Sequence, residues 1–255
     1  MKKLVLVIGI VVATICASVA QEFKVAKSTG RLEIYIGRVT VEGTTGNEIV
    51  FTSNDHKDKD DDDRSKGLRA ISGSGLEDNT GLGINVTEKA GVVEVRQLKK
   101  MNSPNVKIQV PKGVIVYYQH ESQYGGQARF KNMENEIEVS ANYNSVELEN
   151  VTGPMTVKSV YGHVEADFST NVKGPISIVS VYGYVDVTLP AATKADLKMT
   201  TSYGELFAAP EFKIEYESTS GELRRYDDRV NGKINGGGMK VDLNSSYGKV
   251  YLRKK

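Results

Sequence analysis

Ser180-Val181-Tyr182-Gly183-Tyr184-Val185-Asp186-Val187 is the stretch whose reading decides the fold. Val185 and Val187 alternate with Tyr184 and Asp186, and upstream Ile176 and Ile178 alternate with Ser177 and Val179. Alternation with period two is the mark of a strand that buries one face. The Tyr-Gly pair between the two runs reads as a corner. The same phrase returns as Ser159-Val160-Tyr161-Gly162, Thr201-Ser202-Tyr203-Gly204 and Ser245-Ser246-Tyr247-Gly248, with looser copies at Tyr143-Asn144 and Ser220-Gly221. Six and four positions before each corner come apolar residues such as Ile137/Val139, Met155/Val157, Leu197/Met199 and Val241/Leu243. Three and five positions after it come Val146/Leu148, Val164/Ala166, Leu206/Ala208 and Val250/Leu252. No stretch sustains the 3.6-residue period of a helix.

Each unit is therefore strand, corner, strand, and the class is all-β. A unit of about 20 residues with the same face always inward suits a parallel β-solenoid, one coil per repeat. Tyr143, Tyr161, Tyr182, Tyr203 and Tyr247 would then form a ladder. The alternative is an antiparallel sandwich or prism of hairpins. Gly and Asn take positive φ most easily, so Gly162, Gly183, Gly204, Gly221 and Gly248 read as backbone devices at the corners. Upstream the pattern loosens but stays β, through Leu32/Ile34/Ile36, Val39/Val41, Ile49/Phe51, Val92/Val93/Val95, Val106/Ile108/Val110 and Val114/Ile115/Val116. Tyr124-Gly125 reads as a degenerate corner.

The chain opens Met1-Lys2-Lys3, runs apolar from Leu4 to about Ile15, and continues Cys16-Ala17-Ser18-Val19-Ala20. A basic end, a short apolar run and small residues before the cut make a secretory signal peptide, residues 1–20. The run is short for a membrane span, which needs about 20 apolar residues. Residues 21–255 then form one β-repeat domain, irregular over 21–130 and regular over 131–255, with no transmembrane span left after cleavage. The chain's one cysteine, Cys16, leaves with the signal, and with it go disulfides and thiolate chemistry. With 33 basic and 32 acidic residues, there is no excess of positive charge to mark a nucleic-acid partner.

Few residues invite chemistry. In Asn54-Asp55-His56-Lys57-Asp58-Lys59-Asp60-Asp61-Asp62-Asp63, the carboxylates of Asp58, Asp60, Asp61, Asp62 and Asp63 are a weak Ca²⁺ candidate. The run lacks the spaced ligands and central Gly of a calcium loop, and a solvated loop is the plainer reading. His56, His120 and His163 lie in separate segments without metal-ligand spacing and read as exposed positions. Ser72-Gly73-Ser74-Gly75 is not the GxSxG of a hydrolase and reads as a turn. No catalytic residue and no cofactor is assigned. The tyrosine ladder is both the structural edge of the repeats and the candidate binding row, because Tyr joins an apolar ring to a polar tip.

Ser180-Val181-Tyr182-Gly183-Tyr184-Val185-Asp186-Val187-Thr188-Leu189-Pro190, Thr200-Thr201-Ser202-Tyr203-Gly204-Glu205-Leu206 and the C-terminal Asn235-Gly236-Gly237-Gly238 with Ser246-Tyr247-Gly248-Lys249-Val250-Tyr251 resemble the bacterial putative-adhesin family of uncharacterised secreted β-repeat domains. The resemblance covers most of the chain and is strongest from Asn142 onward. It implies a repetitive β-fold and export to the periplasm or cell surface, and it brings no established activity or site residues. The expectation is an exported, non-enzymatic binding or structural envelope protein, its partner an envelope protein or glycan. The rival is a polysaccharide-processing solenoid enzyme. Oligomeric state is not legible.

Overall fold

The computed structural model describes residues 22–54, 63–65, 67–216 and 228–255. Residues 1–20, His56, Asp58, Asp60, Asp61, Asp62 and the Ser220-Gly221 copy lie outside them. No helix among the described residues is long and apolar enough to cross a membrane.

The N-terminal part supplies β1 (Glu22–Val25), β2 (Thr29–Tyr35), β3 (Arg38–Thr44), β4 (Ile49–Ser53), β5 (Ile84–Lys89), β6 (Val92–Gln97), β7 (Asn105–Pro111), β8 (Gly113–His120) and β9 (Gln127–Lys131). The regular repeats follow as β10 (Ile137–Ala141), β11 (Ser145–Val151), β12 (Met155–Ser159), β13 (Val164–Phe168), β14 (Ile176–Ser180) and β15 (Val185–Leu189). The C-terminal part adds β16 (Ala195–Thr201), β17 (Leu206–Ala208), β18 (Ile214–Tyr216), β19 (Asp228–Ile234), β20 (Met239–Ser245) and β21 (Val250–Lys254).

These strands make two mixed sheets, so the class is all-β. One runs β1-β4-β7-β3-β9-β11-β13-β15-β21-β17, the other β18-β19-β16-β20-β14-β12-β10-β8-β2-β6-β5. A Tyr-Gly corner carries the chain from a strand of the second sheet to one of the first, making a rung. Rungs pair in parallel and in register: Ile137, Met155, Ile176, Val241 and Leu197 are successive partners in one sheet, and Val146, Val164, Val185, Val250 and Leu206 in the other. The apolar positions read from the sequence thus meet their equivalents, and both sheets turn them into one core. Antiparallel pairs occur at the ends, where β4 and β1 cover β7, β5 covers β6, and β19 and β18 cover β16.

The rungs do not stack in chain order. The β20/β21 rung inserts between β14/β15 and β16/β17, and at the other end β2/β3 lies between β6/β7 and β8/β9. Consecutive rungs in sequence therefore need not touch, because each end of the chain doubles back inside its outermost rung.

One expectation needs correction: the corner glycines are not there for positive φ. Gly162, Gly183, Gly204 and Gly248 are absent from the residues with that conformation. Their reason is close approach: a Cβ on Gly183 would sit 2.3 Å from the Gly162 carbonyl oxygen, and one on Gly204 1.8 Å from that of Gly248. What brings the backbones so close is a buried hydroxyl two residues before each tyrosine. Ser180 Oγ donates to the Gly162 carbonyl (2.9 Å) and accepts from Gly183 N–H (3.0 Å). Ser159 makes the same pair of bonds with Asn144 and Gly162, Ser245 with Gly183 and Gly248, and Thr201 with Gly248 and Gly204.

Replacing Ser180 by Ala leaves a buried carbonyl and a partly buried N–H without that partner and should cost about 1–3 kcal/mol. Gly183→Ala, which drives a methyl into backbone rather than into a movable side chain, should cost more. Urea unfolding of the two variants checks both the size and the order; equal stability of Gly183→Ala and the parent would refute the close-approach account.

Candidate functional site

The five ladder tyrosines stand outside the corners, and their rings stack. Centroids are 4.9 Å apart for Tyr143–Tyr161, 5.0 Å for Tyr161–Tyr182, 4.9 Å for Tyr182–Tyr247 and 4.9 Å for Tyr203–Tyr247, with interplanar angles of 7–14°. The spacing follows from the ~4.8 Å distance between neighbouring strands, which fixes one ring per rung. The order is that of the rungs, so Tyr247 lies between Tyr182 and Tyr203. Exposure runs from 47% at Tyr143 to 72% at Tyr203. Ring faces are turned against each other, which leaves edges and hydroxyls to solvent. Free faces remain only at the two ends of the stack, so a sugar ring has no aromatic platform along its length.

Beside the stack, on the outer face of the first sheet, runs a second aromatic row. His163 stacks on Tyr184 (4.7 Å, 8°), Tyr184 meets Tyr251 edge to face (6.3 Å), and Tyr251 stacks on Phe207 (5.3 Å). The Tyr184 hydroxyl donates to the Glu165 carboxylate, and partial burial with that carboxylate pushes its pKa up to about 12. Tyr251 and Phe207 sit on β21 and β17 and Tyr184 just before β15, at positions that the corner phrases do not mark. For Tyr251 and Phe207 the signal is register, since they are cross-strand partners.

Carboxylates on this face also align. Glu147, Glu165 and Asp186 are successive register partners. Arg129 binds Glu147 (2.8 Å), Arg253 grips Asp186 with two nitrogens (2.7 and 2.8 Å), and Lys255 holds Asp167 (2.9 Å). Elsewhere Lys107, Lys112 and Arg31 hold Glu42, Glu134 and Glu138 below the usual carboxylate range. A glycosidase acid requires a shift in the opposite direction.

The histidines divide. His163 is half-buried in the aromatic row, where its Nδ1 shares a hydrogen bond with Ser145 Oγ (3.0 Å). His120, expected to be exposed, is 7% exposed. It ends β8 under the Tyr143-Asn144 corner, the one copy with Asn in place of Gly. Asn144 is fully buried, and its Nδ2 donates to the Gly37 carbonyl (2.7 Å) and to the Tyr118 hydroxyl (2.8 Å). Its Oδ1 therefore faces His120 Nδ1 (2.8 Å), which places the imidazole proton on Nδ1. Ala141 stands where the other copies have Ser or Thr, so the Asn side chain replaces the hydroxyl. Gly125 makes room, since a Cβ there would lie 2.1 Å from Asn144 Oδ1. The suspected Tyr124-Gly125 corner is thus a packing partner of this hub.

Of the acidic run only Asp63 is described, at the start of the short 3-10 turn Asp63–Ser65. No group of three or more metal-ligating side chains occurs among the described residues.

The family described as Toastrack DUF4097 matches residues 126–253. That is half of the chain and holds the corners at Tyr143, Tyr161, Tyr182, Tyr203 and Tyr247, including the stretch from Asn142 that carries the adhesin-like resemblance. The chain belongs to this family. No curated protein matches it. A crystal structure described as that of "a putative cell adhesion protein" from Clostridium sporogenes aligns with 92% of this chain and 100% of its own, at 14% identity and a TM-score of 0.46. A likeness that slight carries no argument about fold or function.

Tyr247→Ala should cut the stack in two and cost about 1–3 kcal/mol, the worth of two aromatic contacts, while Tyr203→Ala, losing one, should cost about half as much. Thermal unfolding of the pair reads the difference, and equal losses would contradict the rung order.

Burial lowers the His120 pKa from its ordinary value, against smaller opposing effects of Asn144 and Glu121. The folded chain thus disfavours the charged imidazole. Stability should be full above about pH 6.5, the unfolded value, and decline as pH falls below it. His120→Gln should flatten that decline in urea titrations between pH 7.5 and 5; an unchanged slope would assign it to other groups.

Proposed function

We infer that this member of the Toastrack DUF4097 family is an exported, non-enzymatic binding protein of the adhesin-like kind, a β-solenoid whose rigid rungs display the tyrosine stack to a partner in the cell envelope. The observation that carries this reading is the stack itself: five contiguous, roughly half-exposed aromatic side chains whose hydroxyls have no protein partner among the described residues. Monomeric proteins seldom expose contiguous apolar area of this kind without using it, and Tyr binds well because a rigid ring carries a polar tip.

The solenoid description is supported by the parallel, in-register rungs. Export is supported by the sequence of residues 1–20, with Gln21 as the first residue of the mature domain. Because the ring faces are occupied by their neighbours, the stack meets a partner with hydroxyls and ring edges at intervals of about 5 Å. Such a row suits hydrogen bonding to a repetitive envelope polymer or to an extended protein segment better than it suits sugar stacking.

Isolated cell-envelope fractions titrated with the purified protein test this. Saturable binding is expected, lost in a Tyr182→Ala/Tyr247→Ala variant whose far-UV spectrum is unchanged. Absence of binding, or full retention by the folded variant, would leave the stack a purely structural edge. Mass analysis of the protein recovered outside the cytoplasm should place its first residue at Gln21.

A further inference from the structure

At the opposite end of the molecule from the last tyrosine rungs, a short hairpin contributes almost nothing to the core. Residues 71–77 close through the antiparallel bridge of Ile71 with Glu77 and the bonds Ser72 N–H to Leu76 carbonyl (2.8 Å) and Gly75 N–H to Ser72 carbonyl (3.0 Å). Leu68 and Ile71 remain exposed. The hairpin is nevertheless braced: Arg69 pairs with Glu77 (3.1 Å), and the Asp78 carboxylate accepts N–H groups of Thr80, Gly81 and Gly83. It forms one wall of a cavity of about 660 Å³, whose other walls are Tyr35 on β2, Arg96 and Gln97 at the end of β6, and Leu98, Lys99 and Lys100 beyond it. That volume falls in the ~300–1,000 Å³ range of small-ligand sites.

The lining has one sign of charge. Arg96, Lys99 and Lys100 contribute cations, and no carboxylate among the described residues lines the cavity. Arg96 is tied to Glu94 (2.6 Å) and has its guanidinium carbon over the Tyr35 ring (4.1 Å from its centre), while the ammonium groups of Lys99 and Lys100 have no ion-pair partner among the described residues. Tyr35 is itself fixed, its hydroxyl on Glu33 and its ring against the edge of Tyr117. The hydroxyls of Ser72 and Ser74 bond to each other (2.8 Å) at the hairpin tip, and Leu76 and Leu98 give the cavity apolar surface.

We propose that this cavity binds an anionic saccharide, a sugar bearing carboxylate or sulfate. Two uncommitted ammonium groups supply charge recognition, two serine hydroxyls match sugar hydroxyls, and the leucines with the Tyr35–Arg96 pair accept the apolar face of a pyranose. A free inorganic anion would use the charges and leave the hydroxyls and apolar surface without a role. The site is separate from the tyrosine stack and stands or falls independently of it. It also gives the Ser72-Gly73-Ser74 segment a use beyond that of a turn.

Gly73 provides the blocking variant. A Cβ there meets nothing within 4 Å and the residue has no positive φ, so Gly73→Phe places a ring at the cavity without disturbing backbone. Calorimetry on the purified protein uses four probes: a sulfated disaccharide, a glucuronate-containing oligosaccharide, the neutral parent disaccharide and sodium sulfate. Saturable heat is expected with at least one acidic sugar, weakening with salt. Lys99→Gln/Lys100→Gln should weaken it by at least about tenfold, as loss of charge-assisted bonds implies. Gly73→Phe should abolish it, and Tyr247→Ala should leave it intact. Should Gly73→Phe fail to fold, the lysine variant decides alone. No heat with either acidic sugar at millimolar concentration overturns the proposal. So does equal binding of the neutral sugar, sulfate binding as tightly as the sulfated sugar, or undiminished binding by the lysine variant.

Discussion

Between one rung and the next the chain must turn from one sheet to the other inside a packed edge, and a turn there strands peptide groups away from water. A buried N–H or carbonyl left without a partner costs as much as several good contacts return. The Ser-x-Tyr-Gly corner resolves this with one hydroxyl that donates to the carbonyl of the neighbouring rung and accepts the N–H of its own glycine. That single group ties each rung to the next at a fixed height. The absence of a Cβ on the glycine, the in-register apolar rows and the stacked tyrosines all follow from that height. At the Asn144 corner the arrangement is inverted: the side chain comes from the glycine position, and it reaches Gly37, Tyr118 and His120, which joins the irregular N-terminal rungs to the regular ones.

A stack of parallel rungs has ends, and an open sheet end offers unpaired peptide groups to any passing strand. Three of the four sheet ends are closed by antiparallel strands: β4 with β1, β5, and β19 with β18. The fourth is β17, only three residues long, and a short edge strand gives little for another chain to pair with. The doubling back of the chain at both termini belongs to the same solution. A hairpin partner can reach the outermost rung only if the chain leaves that rung and returns, and the return places β20/β21 and β2/β3 one rung inward.

Much of the candidate site was legible one residue at a time. The tyrosines of the four corner phrases and Tyr143 were found from spacing, and they stack. Their neighbours in the stack were not found, because Tyr203 follows Tyr182 in sequence while Tyr247 follows it in space. The second aromatic row is not legible in the corner phrases, because Tyr184 stands just before β15 while Tyr251 and Phe207 lie on β21 and β17; only the neighbouring of these strands in space brings the rings together. Ser159, Ser180, Thr201 and Ser245 open the four Tyr-Gly corner phrases, yet a small hydroxyl carries no hydropathy signal, and its meaning depends on which carbonyl lies above it. His120 looked like any strand residue because its burial comes from Gly37 and Asn144, distant in the chain.

The sequence by itself determined the strands, their inward faces and the place of each corner, since period-two alternation and a recurring four-residue phrase are local properties written into adjacent side chains. Tertiary structure alone decided the order of the rungs, the reason for the glycines and the pairing of every charged and aromatic group on the outer faces. These depend on which strand lies ~4.8 Å away, and that neighbour is chosen by how the two chain ends close their open sheet edges rather than by anything nearby in the sequence.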